Sequence, residues 1–132
     1  MSRRMVWGPT FEEMLHPDKI DPAIRAKALA AKESDPLSEI NLYNITWKRP
    51  DGKPCYIVLP RELTGVDANI IALYGRDFPT RSHKVGATYT VTMEKQLLGQ
   101  ITPGEHTLVY PSTGNYGIGG AWVGPRMGYD SV

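Results

Sequence analysis

The sequence predicts an α/β fold in which helices and a β-hairpin, within residues 1–65, precede parallel-sheet βαβ units within residues 66–132. Three observations predict this. Helix-start signals and an alanine-rich amphipathic pattern lie near the N-terminus. A Pro-Asp-Gly turn lies between two short apolar segments. In the second half, apolar runs alternate with helix-like segments, which is typical of parallel sheets.

Two helices are predicted near the N-terminus. Thr10 and Glu13 fit a capping box, in which each side chain binds the other's backbone amide, so a short helix should begin there. Asp21 followed by Pro22 is a second start signal, because aspartate caps unpaired amides and proline fits the first helical position. The alanine-rich residues 23–34 continue this helix with polar side chains towards solvent.

Residues 40–48 and 55–60 are predicted to pair as an antiparallel β-hairpin. The first segment, "INLYNITWK", alternates apolar and polar side chains as a half-buried strand does. The connection "RPDGKP" has Asp-Gly at its centre, which is a strong turn signal. The second segment, "CYIVLP", is then the return strand.

The second half of the chain is predicted to alternate strands and helices. Residues 68–75, "ANIIALYG", are nearly all apolar, which is typical of a strand buried on both faces. Ser82 is expected to cap a helix that ends near Leu98. A strand at 107–111, a short or interrupted helix containing Pro125, and the start of a further strand in "YDSV" follow. This order predicts βαβ units.

Composition and charge exclude several classes of protein. The net charge of +1 gives no reason to expect nucleic-acid or membrane-surface binding. There is neither an apolar run long enough to span a membrane nor a secretory signal at the start. Cys55 is the only cysteine, so we expect no intrachain disulfide, a cytoplasmic location, and a buried thiol rather than a reactive one. No metal site is predicted.

The stretch "YPSTGNYGIGG", residues 110–120, is a candidate anion site. It follows an apolar strand and opens a helix, whose first amides lack intrahelical partners and carry partial positive charge. Ser112 and Thr113 add hydroxyl donors, and Asn115 adds an amide. The glycine spacing is neither that of a dinucleotide-binding fingerprint nor that of a P-loop. The same residues also fit a tight strand–helix turn whose glycines serve packing.

Lys84 is a candidate nucleophile in "PTRSHKVGATY", at the predicted start of a helix. The helix dipole disfavours a cation at that position. A neutral lysine amine can form a Schiff base with an aldehyde, whereas most lysines are solvated surface groups. Both interpretations stay open on this stretch alone, and His83 as a general base is a weaker alternative.

Together the two stretches resemble the fold-type II pyridoxal-phosphate enzymes, the group of cysteine synthase, cystathionine β-synthase, threonine dehydratase and the tryptophan synthase β-subunit. One stretch is similar to the family's Asn-Pro-(Thr/Ser)-x-Ser-x-Lys motif, and the other to its (Ser/Thr)-(Ser/Thr/Ala)-Gly-Asn-x-Gly loop. The resemblance covers about residues 66–132. The matching residues are Pro79, Thr80, Ser82 and Lys84 in the first motif and Ser112, Thr113, Gly114, Asn115 and Gly117 in the second.

The resemblance implies a role for each matching polar residue. Lys84 would carry pyridoxal 5′-phosphate as a Schiff base and later move the Cα proton of the substrate. Asn115 would hydrogen-bond the cofactor's 3′ oxygen and keep its ring in plane. Ser112, Thr113 and the amides near Gly114 would hold the α-carboxylate of a small amino acid. The enzyme would then be a lyase or a β-replacement enzyme, cysteine-synthase-like.

The resemblance also implies that the domain is incomplete. The loop that binds the cofactor phosphate lies far downstream in such enzymes, so we expect an N-terminal fragment, inactive alone, of a homodimeric enzyme. The sequence departs from the family pattern at Asp77-Phe78, Val85-Gly86 and Tyr116, which concerns the substrate more than the cofactor. The alternative is a non-catalytic α/β module that binds a small anion or a partner chain.

Overall fold

The computed structural model describes residues 4–132 as a mixture of helices and two small sheets. The predicted α/β class is confirmed at this level. The α-helices of the described residues are α1 (Phe11–Leu15), α2 (Pro22–Ser34), α3 (Arg61–Thr64), α4 (Lys84–Leu97) and α5 (Asn115–Arg126), and 3₁₀ turns occupy Pro17–Lys19 and Glu39–Asn44. The strands are β1 (Tyr56–Leu59), β2 (Ile70–Leu73), β3 (Thr107–Leu108) and β4 (Asp130–Ser131).

Both predicted N-terminal helices are confirmed with their caps. At α1 the Glu13 amide donates to Thr10 Oγ1 at 3.2 Å, and the Thr10 amide donates to Glu13 Oε2 at 2.7 Å. At α2 the Asp21 carboxylate accepts from the amides of Ala23 and Ile24, at 2.8 and 3.2 Å. These side chains bind amides that have no intrahelical partner, so the starts are fixed locally.

The predicted strand at 40–48 is wrong, because residues Glu39–Asn44 form a 3₁₀ helix. Leu42 is fully buried there, but the neighbouring polar side chains are buried as well. Asn44 donates to the carbonyl of Ala28 at 2.7 Å, and Asn41 donates to that of Asp35 at 2.8 Å. The polar side chains at these positions therefore bind carbonyls of α2 and its C-terminal cap instead of facing solvent. The alternation of apolar and polar residues in 40–48 does not reflect a half-buried strand.

The predicted hairpin partner is also wrong, although its turn forms. Gly52 has φ 77° and Asp51 accepts from the Lys53 amide, as an Asp-Gly turn requires. Only one isolated bridge, between Lys48 and Pro54, joins the two segments within the described residues. The return strand β1 pairs instead with β2, antiparallel, with Tyr56 opposite Leu73 and Leu59 opposite Ile70.

The expectation that β2 is a parallel strand buried on both faces is also wrong, because β2 pairs with β1 in the antiparallel sheet. Its residues Ile71 and Leu73 are 59% and 60% exposed. β2 and β3 lie in different sheets, so β2, α4 and β3 do not form a βαβ unit. A near-continuous apolar run indicates a strand but not its partner, and here the nearest strand along the chain is the partner.

The second predicted βαβ unit is confirmed. β3 and β4 pair in parallel, with Thr107 opposite Asp130 and Leu108 opposite Ser131, and α5 connects them. The pairing extends by one further bond, from the amide of Tyr110 to the carbonyl of Val132, 2.9 Å. This unit places the loop that follows β3 at the carboxyl end of a parallel strand, next to the start of α5.

The hydrophobic core draws on both halves of the chain. Its buried members are Val6, Met14, Leu42, Ile45, Phe78, Val85, Tyr89, Val123, Met127 and Tyr129. On α4, Tyr89 is fully buried and donates to the carbonyl of Pro9 at 2.7 Å.

The division into residues 1–65 and 66–132 stays a prediction. Within residues 4–132, no helix is long and apolar enough to cross a membrane.

Candidate functional site

Helices α4 and α5 lie side by side and run in the same direction. A Cβ added at Gly119 on α5 would lie 3.2 Å from the Lys84 carbonyl oxygen and 2.8 Å from Thr88 Oγ1. At the other end, the Tyr129 hydroxyl, just past α5, donates to Gln96 Oε1 at 2.8 Å. These two contacts bring the N-termini of both helices to the same end of the pair.

Lys84 is the first residue of α4, and its side chain is exposed. The N-cap of α4 is His83, which makes no side-chain cap bond, so the prediction of Ser82 as the cap is wrong by one residue. Ser82 is buried, and its hydroxyl accepts from the Lys84 amide at 3.3 Å. Arg81 has φ 56°, a left-handed conformation that costs about 1–2 kcal/mol for a residue with a Cβ. Among residues 4–132 the Lys84 ammonium has no hydrogen-bond or ion-pair partner, so it is available to a ligand.

The candidate anion loop lies at the start of α5. Gly114 is extended, and its carbonyl accepts the first intrahelical bond from Ile118 at 3.2 Å. The amides of residues 115–117 therefore precede that first bond. The side chains of Ser112, Thr113 and Asn115 are exposed, and the Ser112 hydroxyl accepts from the Gly114 amide at 3.2 Å.

The geometry brings the two sequence-predicted groups to one end of the helix pair. Asn115 lies one turn before Gly119, which contacts the first turn of α4, so the loop and Lys84 belong to adjacent helix starts. Two helix N-termini add partial positive charge there. A Cβ at Gly114 would meet nothing within 4 Å, so the loop borders open space.

The residue types at the two helix starts are those that the cofactor implied by the resemblance would need. An amine would react with an aldehyde, and a side-chain amide and helix-start amides would donate to the cofactor's 3′ oxygen and to a carboxylate. Lys84 and Asn115 are the side chains that would hold pyridoxal phosphate, and the 112–114 segment offers hydroxyls and amides to an anion. Within the described part of the chain, no three His, Cys, Asp or Glu residues cluster as metal ligands would.

His83 lies next to Lys84 but belongs to another surface. Its ring stacks on Trp47, with centroids 5.6 Å apart, and Trp47 meets Phe78 edge to face at 4.9 Å. These rings line one end of an apolar groove of about 460 Å³ between α1 and α4. The aromatic contact of His83 was not visible in the sequence, since Trp47 lies 36 positions earlier.

Cys55 is buried, as predicted from its being a single cysteine. Its thiol donates to Asp77 Oδ2 at 2.7 Å. Burial, together with the hydrogen bond and the charge of Asp77, raises the pKa of Cys55 to about 11. The group is therefore a thiol rather than a nucleophilic thiolate at neutral pH.

No protein-family model matches the sequence, and no solved structure matches the fold. The class of protein is therefore argued from the residues at the two helix starts.

Proposed function

We propose that this chain is the N-terminal part of a pyridoxal-phosphate-dependent lyase or β-replacement enzyme, cysteine-synthase-like, acting on a small amino acid. One observation carries the proposal. Lys84 opens α4 and the Ser112-Thr113-Gly114-Asn115 sequence opens α5, and the two helices start at the same end of a parallel pair. The helix start that carries the Lys84 amine thus lies beside the helix start that carries the proposed anion loop.

The loop is suited to the α-carboxylate of the substrate. The amides of residues 115–117 have no helical acceptor, and the dipole of α5 makes that end partly positive. The hydroxyls of Ser112 and Thr113 supply further donors. A carboxylate held there is oriented as well as bound, because backbone amides at a helix start are fixed in direction.

Lys84 is suited to two tasks. Its exposed amine would hold the cofactor aldehyde and, when free, would accept the proton from Cα of the amino acid. Pyridoxal phosphate, when bound, supplies an electron sink for the negative charge that develops on Cα. Asn115, at the start of α5, would donate to the 3′ oxygen of the cofactor. Orientation of the Cα–H bond towards Lys84 follows from fixing the carboxylate.

Borohydride trapping tests the proposal directly. Borohydride reduces a Schiff base to a stable secondary amine, so the natively expressed protein should give a pyridoxyl-phosphate adduct on the peptide that contains Lys84. Lys84→Ala should lose the adduct, whereas Lys95→Ala, on the last turn of the same helix, should keep it. A bare wild-type Lys84 peptide, recovered from natively expressed protein that includes the downstream part of the enzyme, would refute the enzyme assignment.

The second candidate is a non-catalytic α/β module that binds a partner chain, and the β1–β2 sheet favours it. Ile57 and Val58 on β1 are 50% and 53% exposed, and Ile71 and Leu73 on β2 are more exposed still. Consecutive residues of a strand point to opposite faces, so both faces are apolar. A two-stranded sheet is marginal alone. This module would carry no covalent cofactor, which the borohydride experiment decides.

The remaining parts of the proposal concern partners and location. We propose a second copy of the chain as the enzyme's macromolecular partner, to be tested by light scattering over a range of concentrations. We propose the cytoplasm as its location, because the only cysteine is a buried thiol.

A further inference from the structure

Tyr110 lies between β3 and the 112–115 loop and contacts both helices. Its hydroxyl oxygen is 2.8 Å from Thr92 Oγ1 on α4. Its ring covers Gly120 of α5, where an added Cβ would overlap the ring atoms. Its backbone amide donates to the carbonyl of Val132, which follows β4, at 2.9 Å. Three contacts therefore fix Tyr110 just before the loop begins.

The direction of the hydrogen bond between the two hydroxyls follows from the neighbours of Thr92. The Thr92 hydroxyl also lies 2.8 Å from the carbonyl oxygen of Thr88, which can only accept. The single Thr92 proton is used there, so Tyr110 is the donor to Thr92. Burial raises the pKa of Tyr110, so its phenol keeps its proton. Removing this hydroxyl deletes one donor and leaves the ring in place.

Tyr110 also contacts the far side of the loop. Its ring meets that of Tyr116 edge to face, with centroids 5.8 Å apart. Tyr116 directly follows Asn115, so the loop residues lie between two residues whose rings touch. A shift of the Tyr110 ring would therefore move the loop at both ends.

We propose that Tyr110 is a positioning residue. Its hydrogen bond to Thr92 and the packing of its ring against Gly120 fix where the 112–115 loop lies relative to Lys84. Through the loop it positions the carboxylate of the amino acid. The effect on the carboxylate rests on the proposed function, whereas the effect on the loop does not.

Tyr110→Phe in the full chain tests the loop directly, by amide hydrogen exchange without any ligand. We expect the two hydrogen-bonded amides of the loop and the first turn of α5, those of Gly114 and Ile118, to exchange about five- to tenfold faster, the effect of losing one partly buried neutral hydrogen bond. Tyr129→Phe is the matched control, because its hydroxyl binds Gln96 one turn further along α4 and does not touch the loop. Equal exchange of the Gly114 and Ile118 amides in the two variants would overturn the proposal.

Thr92→Val provides the second arm. It should reproduce the faster exchange, and the double variant with Tyr110→Phe should show no further increase, because both changes break one contact. Additive effects would show that the contact is not the cause.

A ligand titration separates this proposal from the proposed function. In cofactor-loaded protein, Tyr110→Phe should weaken binding of L-serine, followed by cofactor absorbance, about fivefold while Lys84 keeps its adduct. Unchanged affinity would overturn the role towards the carboxylate. A wild-type protein without adduct would refute the enzyme, and hydrogen exchange would still decide the loop.

Discussion

Replacement of Gly119 by alanine tests the close approach of α4 and α5 on which the site depends. The added Cβ would lie 2.8 Å from Thr88 Oγ1, 3.1 Å from the Val85 Cα and 3.2 Å from the Lys84 carbonyl oxygen. Two of these are backbone atoms of a packed helix, so the helices must separate by several tenths of an ångström.

The magnitude follows from two opposing terms. Overpacking of this kind costs about 1–3 kcal/mol, and alanine in a helix interior returns up to about 1 kcal/mol relative to glycine. Because backbone atoms oppose the new Cβ, we expect the upper part of the cost. Gly119→Ala should lower the free energy of unfolding by about 1–2 kcal/mol, measured by urea denaturation followed by circular dichroism.

Gly86→Ala is the matched control for this prediction. Gly86 lies inside α4, and its added Cβ would meet Ile45 Cγ2 at 3.6 Å, an ordinary contact. This variant should be as stable as the wild type or more stable, by up to about 1 kcal/mol. Equal stability of the Gly119 and Gly86 variants would refute the reasoning that the two helix starts are held together at Gly119.

Three further predictions concern the site and the cysteine. Lys84→Ala in the intact enzyme should cut turnover by orders of magnitude, and wild-type turnover in steady-state assays would contradict its assignment. Asn115→Ala should weaken cofactor binding and change the absorption spectrum while borohydride still traps Lys84; an unchanged spectrum and rate would argue against the ring contact. Iodoacetamide should alkylate Cys55 slowly at pH 8 and faster as pH rises towards about 11. Fast alkylation at pH 8 would contradict the raised pKa. Since the folded pKa is raised, chiefly by burial and then by Asp77, the stability linked to the neutral Cys55 thiol is complete below about pH 9 and is lost between pH 9 and 11.

The elements that sequence rules predicted well are those fixed by neighbours along the chain. The Thr10–Glu13 capping box and the Asp21 cap join groups three residues apart or closer, so the residue types alone specify them. The α4 start was predicted with Ser82 as its cap and lies one residue later, with His83 as the N-cap, although the Ser82 hydroxyl still accepts from the first helical amide.

The elements that were predicted wrongly depend on contacts distant in sequence. Asn44 is buried because it reaches the carbonyl of Ala28 on α2, and alternation of apolar and polar residues carries no sign of that bond. The apolar run at 68–75 does contain a strand, Ile70–Leu73. Its composition did not indicate that this strand pairs with β1 in an antiparallel sheet.

In the candidate site, too, some residues could be found from the sequence and others could not. Lys84 and Asn115 could be selected from the sequence because both match motifs of the family that the two stretches resemble. The contact of Tyr110 with Thr92 could not be predicted, since it joins residues 18 positions apart and neither is one of the residues that match the two family motifs.

The glycines of the 110–120 stretch show why its spacing fits no nucleotide-binding fingerprint. Three of the four make room for a part of the protein: Gly117 for the Ser112 carbonyl oxygen, at 2.8 Å from an added Cβ, Gly119 for the first turn of α4, and Gly120 for the Tyr110 ring. The interpretation as packing glycines and the interpretation as an anion loop are therefore compatible. Packing holds the loop against α4, while Gly114, the one with open space around it, borders the region where the proposed function would place the carboxylate. An alanine at Gly117 or Gly120 should thus displace the loop, because its Cβ would overlap the Ser112 carbonyl or the Tyr110 ring. An alanine at Gly114 should leave the free energy of unfolding within about 0.5 kcal/mol of the wild type.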